Sequence, residues 1–265
     1  MRRLAALRGY QKTAAMAVAS AVGESRLFLL DYLLRALRVL VLLAIWRTVL
    51  PRHGTVNGLS LGAVLTYTLI AEVFAEQLLA RTEATSDLWS GGVTGRMVQP
   101  TGLFGHYAAV MAGGWLVGLA LFSLPLLVLA PLLGVDPRPA GFGAGLLFAL
   151  SLALAVTLGL AIEFFFVGLT VAFALNPWIV SRVRDGVALV LSGAVVPLAL
   201  LPWGLGAVFA WLPFASMASA PLQIYVGAGQ PLLLLALQVA WCLALWPLVI
   251  WLWRANREKV VGFGG

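Results

Sequence analysis

No charged residue stands between Arg96 and Asp136 or between Asp185 and Arg254, and only Glu163 interrupts the stretch from Arg138 to Arg182. About 18 consecutive apolar residues are enough to mark a membrane span, and in lipid every backbone N–H and C=O must be paired within the protein. Runs this long therefore restrict the chain to an all-α membrane bundle. Composition agrees, with 62% hydrophobic and 10% charged residues, where soluble domains carry about 25% charged. The net charge of +7 lies in small groups between the runs rather than along a stripe. Membrane topology accounts for it, and no nucleic-acid partner is expected.

Six spans are read in one transmembrane domain over residues 1–265: about 27–50, 59–80, 103–133, 142–175, 186–201 and 232–253. The fourth run would be about 50 Å as a helix, longer than a bilayer core of about 30 Å yet too short for two spans, so one tilted helix stopped by Asn176-Pro177 is expected. The uncharged segment 202–230 is broken by Pro202, Gly204, Gly206, Pro213, Pro221 and Gly227. It reads as two short external helices packed at the outer mouth before the sixth span. Residues 13–23 follow Arg2, Arg3 and Arg8 but are too weakly apolar for a cleaved leader. An N-terminal helix is expected instead on the inner surface, with a thin apolar face of Leu4, Leu7, Ala14 and Val18. Of the 17 lysines and arginines, all but Arg47, Arg52 and Arg138 fall on the side of the termini. The positive-inside rule makes both termini cytoplasmic.

Four charges fall inside the first two runs: Arg35 and Arg38, Glu72 and Glu76. Each would cost about 2.5–3.5 kcal/mol near a helix centre on insertion scales. In antiparallel spans their depths match as Arg38 with Glu72 and Arg35 with Glu76, with Asp31 a competing partner for Arg35 one turn away. They either line a polar cytoplasmic mouth or snorkel and fasten the bundle. Glu163 stands alone on the fourth span, as a transported-ion site or as a carboxyl neutralised by or bonded to a neighbouring helix.

Catalytic patterns are missing. The histidines, His53 and His106, lie far apart without an HExxH, and His106 reads as an interfacial cap. Cys242 is the single cysteine, which excludes a CxxC site and suits packing. Gly9-Tyr10-Gln11-Lys12-Thr13 lacks the glycine before lysine that a phosphate loop needs, and Ser192-Gly193 forms no GxSxG elbow. No catalytic residue, metal or cofactor is expected in this chain.

Between the second and third runs the chain turns polar and glycine-rich. A short helix over 85–89, ended by Gly91 and Gly92, would present Asp87, Leu88 and Trp89 to a cytoplasmic partner; the other reading is an ordinary connecting loop. Ser90-Gly91-Gly92 is followed by Val98-Gln99-Pro100, and further on stand Leu191-Ser192-Gly193-Ala194-Val195-Val196-Pro197-Leu198, Leu212-Pro213-Phe214-Ala215, Pro221-Leu222-Gln223-Ile224-Tyr225-Val226-Gly227 and the tail Gly262-Phe263-Gly264-Gly265. On these motifs, over nearly its whole length, the chain resembles the permease subunits of ABC-2-type transporters. The likeness is to the bacterial branch found beside a second permease and an ATPase. Gln99 replaces the arginine usual before Pro100.

The resemblance implies a six-span half-transporter in the bacterial cytoplasmic membrane, dimerising with a second permease that in such transporters is often a different chain. Two ABC ATPase subunits would hold the ATP and magnesium. It assigns ATPase coupling to Asp87, Leu88, Trp89, Gly91, Gly92 and Arg96, and an external gate to Leu212, Pro213, Phe214 and Pro221. The expected function is ATP-driven export of an apolar or amphipathic drug, peptide or lipid. The alternative is an ion- or proton-coupled carrier or channel working without an ATPase through Glu72, Glu76 and Glu163.

Overall fold

In the computed structural model, residues 2–23, 25–50, 54–97 and 102–262 are described, without the side chains of 2–8, 20–23, 25–29, 31 and 261. Helices α1 (Arg2–Gly23) and α2 (Ser25–Val49) open the chain, and a small hairpin of β1 (Thr55–Val56) and β2 (Leu59–Ser60) follows. Ser60 then caps α3 (Leu61–Val73), its hydroxyl accepting from the Ala63 amide. This second run is two helices rather than one: α3 stops at Phe74 and a single turn, α4 (Ala75–Leu78), continues.

Helix α5 (Ala84–Trp89) and helix α6 (Gly92–Met97) make up the polar loop. The third run begins with α7 (Leu103–Gly118), passes through a π-turn at Leu119–Ser123, and ends as α8 (Leu124–Leu129) and a 3-10 turn, Ala130–Leu133. Pro125 explains the π-turn. Its ring would strike the carbonyl one helical turn back and it has no N–H to donate, so the preceding turn widens.

Helix α9 (Phe142–Ala172) has 31 residues and ends in a turn where Ala174 takes φ 50°. Helix α10 (Pro177–Leu191) starts nine residues before the fifth span was expected. Asn176 caps it by accepting from the amides of Trp178 and Ile179, and Pro177 fills its first turn. It ends at Ser192 before Gly193 at φ 74°, so residues 192–201 are not part of the helix. A 3-10 turn at Pro202–Gly204, then α11 (Leu205–Phe209), α12 (Pro213–Met217) and α13 (Ser219–Tyr225), lead to α14 (Pro231–Ala255) and α15 (Arg257–Gly262).

Leu103–Leu133, Phe142–Ala172 and Pro231–Ala255 are each long and apolar enough to cross a membrane, as an all-α membrane protein requires. Two expected placements change. Helix α1 lies alongside α7, in the same direction, instead of apart on a surface: a Cβ on Gly105 would strike Tyr10, and one on Gly113 would strike Ala14 and Ala17. These glycines let the helices approach closely. The pair α12–α13 is not perched at the mouth. Ala215 to Leu222 are all buried, and a Cβ on Gly159, midway along α9, would meet Ala80 and the Met217 sulfur. Packing is dense where these elements meet: Phe148 stacks edge-on to Tyr225, and Leu158, Ile162, Ala188 and Met217 form one buried cluster.

Candidate functional site

Midway along the α7–α8 rod the expected ion pairs form: Arg38 Nη2 lies 2.9 Å from Glu72 Oε1, and Arg35 Nη1 lies 2.6 Å from Glu76 Oε1. The helices are adapted to hold them. Gly118 leaves room for Glu76, whose carboxylate would sit 2.9 Å from a Cβ there. The Arg35 guanidinium lies 5.7 Å from the centroid of Phe122, within the π-turn, and Phe122 stacks on Tyr32. The Ser123 hydroxyl, turned inward by the same π-turn, donates to the Val73 carbonyl at 2.7 Å where α3 breaks. All four charged residues line a cavity of about 1020 Å³ bounded by α1, α2, the ends of α3 and α4, α6 and α7. Asp31, the competing partner, has a side chain outside the described residues.

A second charged cluster is sealed at its centre. Arg184 is 1% exposed and Glu163 5%, and their Nη1 and Oε2 atoms are 3.3 Å apart. Glu163 is therefore not alone. Its other oxygen accepts from the Thr82 amide and hydroxyl, both at 3.3 Å. Arg184 also donates to the Ala80 carbonyl at 2.5 Å and meets Asp185, which pairs with Arg81 at 3.2 Å. Residues 80–82 are thus clasped by α9 and α10 together. A buried charge of this kind is tolerable only because its partners replace water, since desolvation costs several kcal/mol per ion.

In the loop, Asp87 points inward. It accepts from Arg96 Nε at 3.1 Å and from the Tyr107 hydroxyl at 2.9 Å. Leu88 is also buried, beside Val93, Tyr107 and Phe164, so of the three residues expected to face a partner only Trp89 is exposed, at 58%. The amphipathic periodicity of one helical turn decides this: 84, 85 and 88 face the bundle and 86, 89 and 90 face away. Gly91 turns the chain at φ 75°, while Gly92 opens α6 and comes so close to Asp87 that a Cβ would lie 3.0 Å from Oδ1. Val98, Gln99, Pro100 and the tail from Phe263 lie outside the described residues.

The gate residues divide. Leu212, Pro213 and Phe214 are half-buried at the start of α12, whereas Pro221 is sealed within α13. Gln238 on α14 anchors this hairpin, accepting from Ser151 Oγ and donating to the Ser151 and Ser216 carbonyls. Arg184 and Tyr107 received no site role in the sequence reading, and His106 only that of a cap. Asn176-Pro177, read only as a stop for the preceding helix, also starts the next, and that start carries Arg184 two turns inside. His106 is no cap: Gly102 occupies that position, and His106 is 5% exposed with neither ring nitrogen hydrogen-bonded among the described residues.

No protein-family model, curated protein or solved structure matches this chain.

Proposed function

We propose that the chain is the six-span permease subunit of an ATP-driven exporter of the ABC-2 type, with both termini in the cytoplasm and an apolar or amphipathic cargo. The observation that carries this reading is the α5–α6 hairpin. It is a compact pair of short helices stitched to α7 by Asp87, Arg96 and Tyr107, and clasped to α9 and α10 through residues 80–82, with Trp89 held outward. A surface tied rigidly to three helices is what a motor subunit needs to push on, because a force delivered to a slack loop reaches nothing. Alternating access then follows if ATPase closure favours one arrangement of the bundle over another. Supporting it, the buried α12–α13 hairpin hangs from the end of α10, where the Ser219 amide donates to the Ser192 carbonyl at 2.9 Å and the Tyr67 hydroxyl to that of Gly193 at 2.7 Å.

The test is to purify the tagged chain from its host in mild detergent and identify what stays bound. An ATPase and a second permease in near-equal amounts are expected. The chain alone, moving ions in liposomes without ATP, would instead favour the ion-coupled carrier, for which the carboxylates Glu72 and Glu76 at the cavity wall speak. Glu163 speaks against that carrier, since it is enclosed by Arg184 and Thr82.

A further inference from the structure

The cavity beside the mid-bundle ion pairs has an uneven wall. Its belt is apolar, made by Met16, Leu79, Val110, Met111 and Trp115. Toward the α5–α6 end it is lined by Arg81, Glu83, Arg96 and His106. His106 and Trp115 are about 13 Å apart along α7, so the polar end and the apolar belt are separated along the helix axis. At the far end the four charges of α2, α3 and α4 are paired with one another.

At the polar end the pairing is incomplete. Arg81 contacts Asp185 through Nη2 and Arg96 contacts Asp87 through Nε, and a guanidinium has five N–H donors, so each retains donors for an anion. Glu83 forms no ion pair with a described residue. The His106 ring is buried with both nitrogens lacking a protein partner among the described residues. Buried polar groups of this kind are normally hydrogen-bonded; both nitrogens are closed off from the cavity in this arrangement, so a ligand there meets them only when the ring turns. A bare anion would satisfy the arginines and His106 but would face Glu83. A molecule carrying both signs satisfies all of them, and the belt above adds a surface for its hydrocarbon.

We propose that this cavity binds a zwitterionic amphiphile of the aminophospholipid class. Its phosphate lies against Arg81, Arg96 and His106, its ammonium against Glu83, and its chain along the belt of Met16, Val110, Met111 and Trp115. The site goes beyond the transport reading and holds whether or not the bound lipid is carried across. Its test uses no ATP and no ATPase, so its failure and the failure of that reading are separate results.

The purified chain in detergent is titrated with phosphatidylethanolamine, phosphatidylglycerol and soluble glycerophosphoethanolamine, and bound lipid is read by native mass spectrometry. Phosphatidylethanolamine is expected to bind about tenfold more tightly than phosphatidylglycerol, the size of one charge-assisted contact. Glu83→Gln removes that preference, weakening phosphatidylethanolamine and relieving the repulsion felt by phosphatidylglycerol. His106→Gln weakens both lipids, and Val110→Trp blocks both by filling the belt. Each variant's melting temperature is compared with that of the parent, so that a folding defect is recognised. Equal binding of the two lipids by the parent overturns the zwitterion assignment, as does a Glu83→Gln variant that keeps the preference. Equal competition by the soluble headgroup overturns the amphiphile assignment.

Discussion

The two charged clusters differ in how much water they keep, and that difference separates roles that look alike in the sequence. Arg35 and Glu76 each leave 32% of the side chain exposed and Arg38 leaves 49%, all along the cavity wall. The Arg184 and Glu163 side chains leave 2% and 7%, packed where α9, α10 and residues 80–82 converge. Apart from Glu72, which leaves 4%, the first cluster keeps access to whatever enters the cavity. At the centre of the second, Arg184 and Glu163 have exchanged nearly all their solvent for protein partners and act as a fastening, with Asp185 and Arg81 at its exposed rim. Charge at depth thus marks a site only where the surrounding helices leave space, and here a π-turn, a broken helix and Gly118 make that space.

The sharpest way to break the contrast is Arg184→Met, which leaves Glu163 buried and uncompensated. A loss of about 3–5 kcal/mol is expected, read as a collapse of the melting transition in detergent. The double variant Arg184→Met with Glu163→Leu should recover most of it, since removing both charges also removes the desolvation cost. If the single variant melts like the parent, the fastening role is wrong. Next in size, Asp87→Ala strips Arg96 and Tyr107 of their shared acceptor and should cost about 1–3 kcal/mol. Limited proteolysis would reveal it as faster cleavage within residues 84–97. In the open cluster, Arg35→Gln should cost about 1 kcal/mol or less, because a half-exposed pair gains little over water. A loss as large as that of Arg184→Met would erase the distinction between the clusters. Smallest of all for stability is Trp89→Ala, expected within about 0.5 kcal/mol of the parent. The same variant should lower ATP-driven transport, and unimpaired transport by this stable protein would count against the coupling assignment.

The open cluster was legible before the structure because α2 and α3 are neighbours in the chain and antiparallel. Counting residues from their shared end therefore gives depth, and matching depths gives Arg38 with Glu72 and Arg35 with Glu76. No such counting reaches Glu163. Its partner sits on a helix that starts nine residues before Gly186, where the apolar run begins, so run length alone leaves Arg184 outside the helix. The inward turn of Asp87 was hidden for another reason: a helix of six residues has too few turns for its apolar face to declare itself.

Hydrophobic run length by itself determined that this chain is a bundle of membrane-scale helices and roughly where the long ones lie, since unpaired backbone is too costly in lipid and unbroken apolar runs lack the alternation of barrel strands. Tertiary structure alone decided which charges face a cavity and which are sealed, that α1 lies along α7, and that residues 213–225 enter the core. Those outcomes depend on contacts between residues such as Gly113 and Ala14, or Gly159 and Met217, far apart in sequence. In a chain apolar on nearly every face, periodicity cannot tell a surface turned to lipid from one turned to another helix, so close packing makes the choice.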